Sequence, residues 1–102
     1  MKLKWTQESL LKLQEIEEFI SLDNPNKAIK FIDELILVAE KLTANPEMGR
    51  IVPELSINKL REIIHKNYRI IYKKKKKDIS ILTVFEGHRK LRTNELDVKK
   101  KN

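Results

Sequence analysis

No cysteine occurs anywhere in the chain. That excludes a disulfide framework and thiolate ligation of a metal, and it fits a reducing compartment. Glycine is found only at Gly49 and Gly87, so no glycine-rich loop can cradle a nucleotide phosphate. Near the expected sheet the only aromatic residues are Tyr68, Tyr72 and Phe85, a small supply for stacking on unpaired bases. No apolar run approaches the roughly 20 residues of a membrane span, and the opening MKLKWTQESL lacks the apolar core of a signal peptide. No His, Asp or Glu cluster has metal-ligand spacing, and no cofactor is expected. These absences describe a soluble, untargeted, cytoplasmic protein whose 102 residues suffice for one core.

What the chain has in quantity is positive charge, +7 in all, distributed unevenly. Residues 1–48 carry six Lys/Arg against nine Asp/Glu, whereas residues 49–92 carry thirteen against four. An acidic first half followed by a basic second half points to a polyanionic or acidic partner for the second. The run Lys73–Lys77 reads equally well as a solvated hairpin tip. The arginines embedded in apolar strands are harder to set aside, because a guanidinium on a half-buried sheet needs an anionic partner.

Hydrophobic periodicity divides the chain. Lys2 to Trp5 reads as a short strand, after which Thr6 can cap a helix with Glu8 near its positive end. Leu10, Leu13, Ile16, Phe19 and Ile20 form that helix's apolar stripe, ending near Leu22. Asp23-Asn24-Pro25 stops it and starts another, with Asn24 as cap and Pro25 at the first helical position. Ala28, Ile32, Leu35, Ala39 and Leu42 extend this second stripe toward Asn45-Pro46, making an αα-hairpin. Arg50–Val52, next to Gly49 and Pro53, is a loop or edge strand. Leu60–Lys66, Tyr68–Lys73 and Ile79–Phe85 are β-branched and aromatic runs with short connections, as in an antiparallel meander. The fold class is therefore α+β: an N-terminal strand, an αα-hairpin, then an antiparallel sheet of three to four strands. Residues 1–92 form one domain and residues 93–102 a polar tail.

A two-residue turn at Lys66-Asn67 and a loop at Lys74–Lys77 define a register. Ile63, Tyr68, Ile70, Tyr72, Ile79 and Ile81 then share the face packed under the helices, with Arg61 among them. Ile64, Arg69, Ile71, Ser80, Leu82 and Val84 share the opposite face, which places Arg69 centrally on a surface free of helices.

The order β-α-α-β-β-β resembles the RelE/ParE superfamily of bacterial type II toxins. The matching points are Trp5 before a helix, Asp23-Asn24-Pro25, Asn45-Pro46 with Gly49-Arg50, Arg61-Glu62, Tyr68-Arg69-Ile70-Ile71-Tyr72, and Val84 to Leu91 with Gly87-His88-Arg89. The likeness covers about residues 2–91 and is closest to the ParE-like, plasmid-stabilisation branch. It implies a cytoplasmic toxin neutralised by a cognate antitoxin, whose acidic C-terminal segment wraps the toxin and folds on binding. Operator DNA would be contacted through the antitoxin.

The superfamily offers two activities: ParE-like members poison DNA gyrase, and RelE-like members cut mRNA on the ribosome. The resemblance makes Arg50, Arg61, Arg69, His88 and Arg89 candidates for target or antitoxin binding. Only Arg69, His88 and Arg89 would be catalytic in a nuclease, as charge stabilisers and a proton carrier. No tyrosine or histidine follows Arg89, and Glu62, Ile63 and Ile64 stand where a nuclease has basic residues, which favours the gyrase reading. Against these roles stand simpler ones. Arg61 and Glu62 suit cross-strand ion pairs, His65 a solvent-facing strand end, and Tyr68, Tyr72 and Trp5 the core. A third reading is a non-toxic basic module that binds nucleic acid.

Overall fold

The computed structural model describes residues 1–53 and 60–87. Their order is β1 (Lys2–Trp5), α1 (Gln7–Ser21), α2 (Pro25–Glu40), β2 (Arg50–Ile51), β3 (Arg61–His65), β4 (Tyr68–Lys74) and β5 (Asp78–Glu86). Residues 93–102, the expected tail, lie outside the described part.

The helices begin where the side chains dictate. Thr6 Oγ1 accepts the Ser9 N–H at 3.1 Å, and Asn24 Oδ1 accepts the Lys27 N–H at 3.1 Å, each satisfying an N–H that the first turn leaves open. Pro25 follows Asn24 at the first helical position, where its missing N–H costs nothing. The second helix stops at Glu40, short of Asn45-Pro46, and tightens into a 3-10 turn over Lys41–Thr43. That turn still delivers Leu42 to the core.

The sheet has five strands in the order β1-β5-β4-β3-β2. Four of them form the antiparallel succession expected. The fifth, β1, joins the outer edge of β5 in parallel, pairing Leu3 with Ile79 and Trp5 with Ile81. The αα-hairpin is thus the crossover that a parallel pairing requires. Thr6 secures the junction, its hydroxyl donating to the Leu82 carbonyl at 3.0 Å and its N–H to Ile81 at 3.1 Å.

Lys66-Asn67 is the two-residue turn, with His65 opposite Tyr68 and Ile63 opposite Ile70. Lys66 adopts φ 56°, the left-handed region that such turns need and that a side chain rarely favours. The helices cover the face carrying Ile70, Tyr72, Ile79 and Ile81, all fully buried, against Leu13, Ile16, Leu35, Ala39 and Leu42. Burying one such leucine contributes about 1.5–3 kcal/mol.

Two expectations are corrected. A bulge in β5 opposite Ile71 and Tyr72 inserts Leu82, so Thr83 pairs with Ile71 while Ile81 pairs with Tyr72. The inserted residue reverses the alternation beyond it. Val84 therefore packs beneath the helices, and Phe85 joins Val52, Leu60 and Ile71 on the other face. In α1, Leu10 and Phe19 are largely exposed, because only Leu13 and Ile16 sit centrally over the sheet.

Between α2 and β2 the chain is fixed by one phenol. The fully buried Tyr72 hydroxyl donates to the Pro46 carbonyl at 2.8 Å and accepts the Gly49 N–H at 3.0 Å. A Cβ on Gly49 would stand 2.5 Å from the Glu62 carbonyl oxygen and 2.8 Å from the Tyr72 ring, so no larger residue fits unless backbone moves. Burial raises the Tyr72 phenol above its usual range, and the Gly49 hydrogen bond opposes this only in part. The hydroxyl thus remains a donor at neutral pH. Tyr72→Phe leaves the Gly49 N–H and the Pro46 carbonyl without this partner, and the expected loss in a urea melt is about 1–3 kcal/mol. A loss under a few tenths of a kcal/mol would show that the loop holds without the phenol.

Candidate functional site

Alternation along the strands puts Arg50, Glu62 and Arg69 together on the sheet face away from the helices. Arg50 is directly opposite Glu62 on β3, and Arg69 lies diagonally from Glu62 on β4. Glu62 is entirely buried and joins both. Its Oε2 accepts from Arg50 Nε at 2.5 Å, and its Oε1 accepts from Arg69 Nε and Nη2 at 2.6 Å each. The Arg69 guanidinium also lies over the Phe85 ring, 5.3 Å from its centre.

Arg69 thus stands on the face that the register predicts, but it is covered rather than exposed, at 7 %. The Glu62 carboxylate and the Phe85 ring draw it into the sheet surface. Arg50, with 60 % of its side chain accessible, presents the accessible cation of the three. One carboxylate against two guanidiniums leaves this cluster with surplus positive charge.

Arg61 is spent on structure. On the helix-side face, its Nη1 donates to the Gly49 carbonyl at 2.6 Å, and Nη2 sits 3.8 Å from Glu47. It closes the loop whose other clasp is Tyr72. His88 and Arg89 lie outside the described residues. The last described residue, Gly87, donates its N–H to the Asn67 carbonyl at 2.6 Å, binding the end of β5 to the β3–β4 turn.

His65 is a partner of α2 and not a free strand end. Its Nε2 lies 2.9 Å from Glu34 Oε1, and Lys66 Nζ lies 3.1 Å from the same oxygen. Phe31 stacks obliquely on His65 and Tyr68, with Lys66 over its ring. The hydrogen bonds from His65 and then Lys66 hold the Glu34 carboxyl below its usual range. Nothing in the spacing of Glu34 and His65 along the sequence signals this link, which exists only once α2 crosses β3.

Beside it runs an open groove of about 800 Å³ between the helical hairpin and the β3–β4 turn. Phe19, Ile20, Phe31 and Tyr68 line it with apolar surface, and its charged lining is Lys27, Lys30 and Lys66 with the carboxylates of Asp23 and Glu34. Sequence reasoning placed Phe19 in the core and so missed it as a groove wall. Among the described residues no group of three or more His, Asp or Glu could hold a metal ion. No helix there is long and apolar enough to cross a membrane.

A strand, an αα-hairpin and an antiparallel-rich sheet are the α+β arrangement of a RelE/ParE-like fold. The model of the ParE toxin of type II toxin-antitoxin systems, parDE, matches residues 3–91, and the chain belongs to that family. Among solved structures, the chromosomal ParDE toxin-antitoxin system from P. aeruginosa is similar. Its TM-score is 0.72 at 24 % identity, over 84 % of this chain and 95 % of that one. No curated protein matches the sequence significantly.

Two measurements check this geometry. Glu62→Ala strips two guanidiniums of their shared carboxylate, and its expected cost is about 3–5 kcal/mol, as for breaking a buried pair. A cost below about 1 kcal/mol would mean that the cluster is peripheral to stability. A carboxyl held below its unfolded value stabilises the fold above that value and loses the contribution as pH falls through the folded one. In NMR titration, then, Glu34 titrates below ordinary glutamates, and His65→Ala moves it upward. An unmoved Glu34 would remove His65 as the cause.

Proposed function

We propose that the protein is a growth-inhibiting toxin of the cytoplasm that acts on DNA gyrase and is neutralised by a cognate antitoxin. The observation that carries this reading is the family match across residues 3–91, which takes in both helices and all five strands. The matched family is that of parDE toxin-antitoxin systems, and a solved structure of similar fold is that of a ParDE system, which supports an antitoxin as partner. Operator DNA is then read by the antitoxin.

The arrangement around Arg69 supports a binding function over ribonuclease chemistry. A nuclease needs a guanidinium free to meet developing phosphorane charge, with a proton carrier beside it. Arg69 is already held by Glu62 through two nitrogens. His65, the histidine among the described residues, pairs with Glu34 on the helix side of the sheet, away from Arg69. Arg50 is therefore the described arginine best placed to touch a target. The groove beneath the helical hairpin suits the antitoxin: an acidic amphipathic segment would lay its apolar side on Phe19, Phe31 and Tyr68 and its carboxylates toward Lys27, Lys30 and Lys66.

The test is induced expression in bacteria, followed by parallel assays of gyrase supercoiling and ribosome-associated mRNA cleavage. Growth arrest with inhibited supercoiling and intact mRNA is expected. Cleaved mRNA with normal supercoiling would overturn the gyrase reading, and normal growth with folded protein present would overturn toxicity. Arg50→Ala removes the accessible cation and also one of the two partners of the buried Glu62, so it is expected to weaken toxicity and to lower the melting temperature by several degrees while the domain still folds. Unchanged toxicity would exclude Arg50 from the target surface.

A further inference from the structure

At the end of the sheet remote from the β3–β4 turn, β1 brings two more lysines to the lysine turn. Lys4 and Lys73 both pair with Ser80, one from each side, and Lys2 pairs with Asp78. Strands lie about 4.8 Å apart, so Lys4 and Lys73 flank β5 on one face roughly 10 Å from each other. The turn is tight, with the Lys75 N–H donating to the Asp78 carbonyl at 2.8 Å. The Lys2 N–H reaches the Lys77 carbonyl at 3.4 Å. Lys2, Lys4 and Lys74–Lys77 are exposed, and Lys73 is half-buried.

Seven lysines thus meet two nearby carboxylates, both already engaged: Asp78 with Lys4 at 3.3 Å, and Glu47 with Lys74 at 3.5 Å. Lys2, Lys73, Lys75, Lys76 and Lys77 form no ion pair among the described residues. Folding does not explain this choice of residues. Tight turns favour Gly, Asn and Asp, and a run of like charges repels itself.

We propose that Lys2, Lys4 and Lys73–Lys77 form a binding surface for the phosphate backbone of double-stranded nucleic acid, independent of base sequence. Lysine is a mobile point charge suited to spaced phosphates, whereas paired recognition of a carboxylate favours arginine. The turn contains no apolar residue to enter a bilayer, which separates it from a membrane-binding loop. It contains no aromatic residue either, so unpaired bases find nothing to stack on. What remains is charge in a fixed array, the chemistry that binds duplex backbone by releasing counterions. The surface stands independently of the toxin reading, since duplex binding and growth arrest are measured separately.

The test is fluorescence anisotropy of the full chain with a mixed-sequence DNA duplex between 50 and 200 mM salt. Each neutralised phosphate contributes about −0.9 to the slope of log K against log salt. Four or five contacts therefore predict a slope near −4 and a loss of about 10²–10³-fold across that range. Replacing Lys75, Lys76 and Lys77 by serine is expected to make the slope shallower by about three units. The control replaces Lys27, Lys30 and Lys41 on and after α2, an equal change in net charge, and is expected to leave the slope within about one unit. Equal effects of the two triples would overturn the proposal by showing that overall charge suffices. It is also overturned if duplex binding is undetectable at 50 mM salt, or if anionic vesicles or single strands bind more tightly than the duplex. Duplex RNA binding with the same slope as DNA supports backbone recognition, and a preference for one duplex identifies which backbone the surface fits.

Discussion

The Tyr72 hydroxyl is the interaction on which the functional face depends. It ties the loop after α2 to the centre of the sheet by accepting from Gly49 and donating to Pro46. Arg50 follows Gly49 directly, so fixing that backbone fixes where β2 meets β3 and lets Arg50 reach Glu62. Glu62 in turn settles Arg69. A chain of short contacts thus runs from an apolar core residue to an exposed cation, and none of its members is independent of the others. The geometry also requires glycine at position 49, since the backbone of β3 passes too close for a side chain.

Charge is sorted by layer as well as by position in the chain. The helices carry seven of the twelve carboxylates among the described residues, and Glu34 holds His65 and Lys66 at the near end of the sheet. The face away from α1 and α2 carries Arg50 and Arg69, with Lys2, Lys4 and Lys73 farther along it. The cluster as a whole adds little net stability compared with apolar side chains at all three positions, because Glu62 and Arg69 are taken from water. What Glu62 supplies is position: it holds one guanidinium down and leaves the other outward.

Local chemistry made much of the fold legible in the sequence. Thr6 and Asn24-Pro25 announce helix starts because capping uses residues adjacent in the chain. The β3–β4 register follows from alternation across a two-residue turn. The bulge at Leu82 was not legible, since no glycine or proline marks it, and one inserted residue moved Val84 to the face opposite that expected. Periodicity found an apolar stripe on α1 but could not show that Leu10 and Phe19 stay largely exposed while Leu13 and Ile16 are buried. The arginines of the site stood out as cations among apolar residues. Glu62 was legible as a member of cross-strand ion pairs, but its choice of Arg50 and Arg69 was not, because a diagonal contact between strands exists only after pairing.

The parallel strand has a consequence in time. β1 precedes the other described elements, yet among the described residues it pairs with β5, the last of them. Contacts so far apart in sequence form late, because the loop they close carries a large entropic cost. While the chain is being synthesised, the αα-hairpin can form and wait, but the edge strand has no neighbour until Asp78–Glu86 has left the ribosome. The nascent protein therefore lacks its finished sheet until β5 has been translated, which leaves an interval in which a binding partner can reach it first.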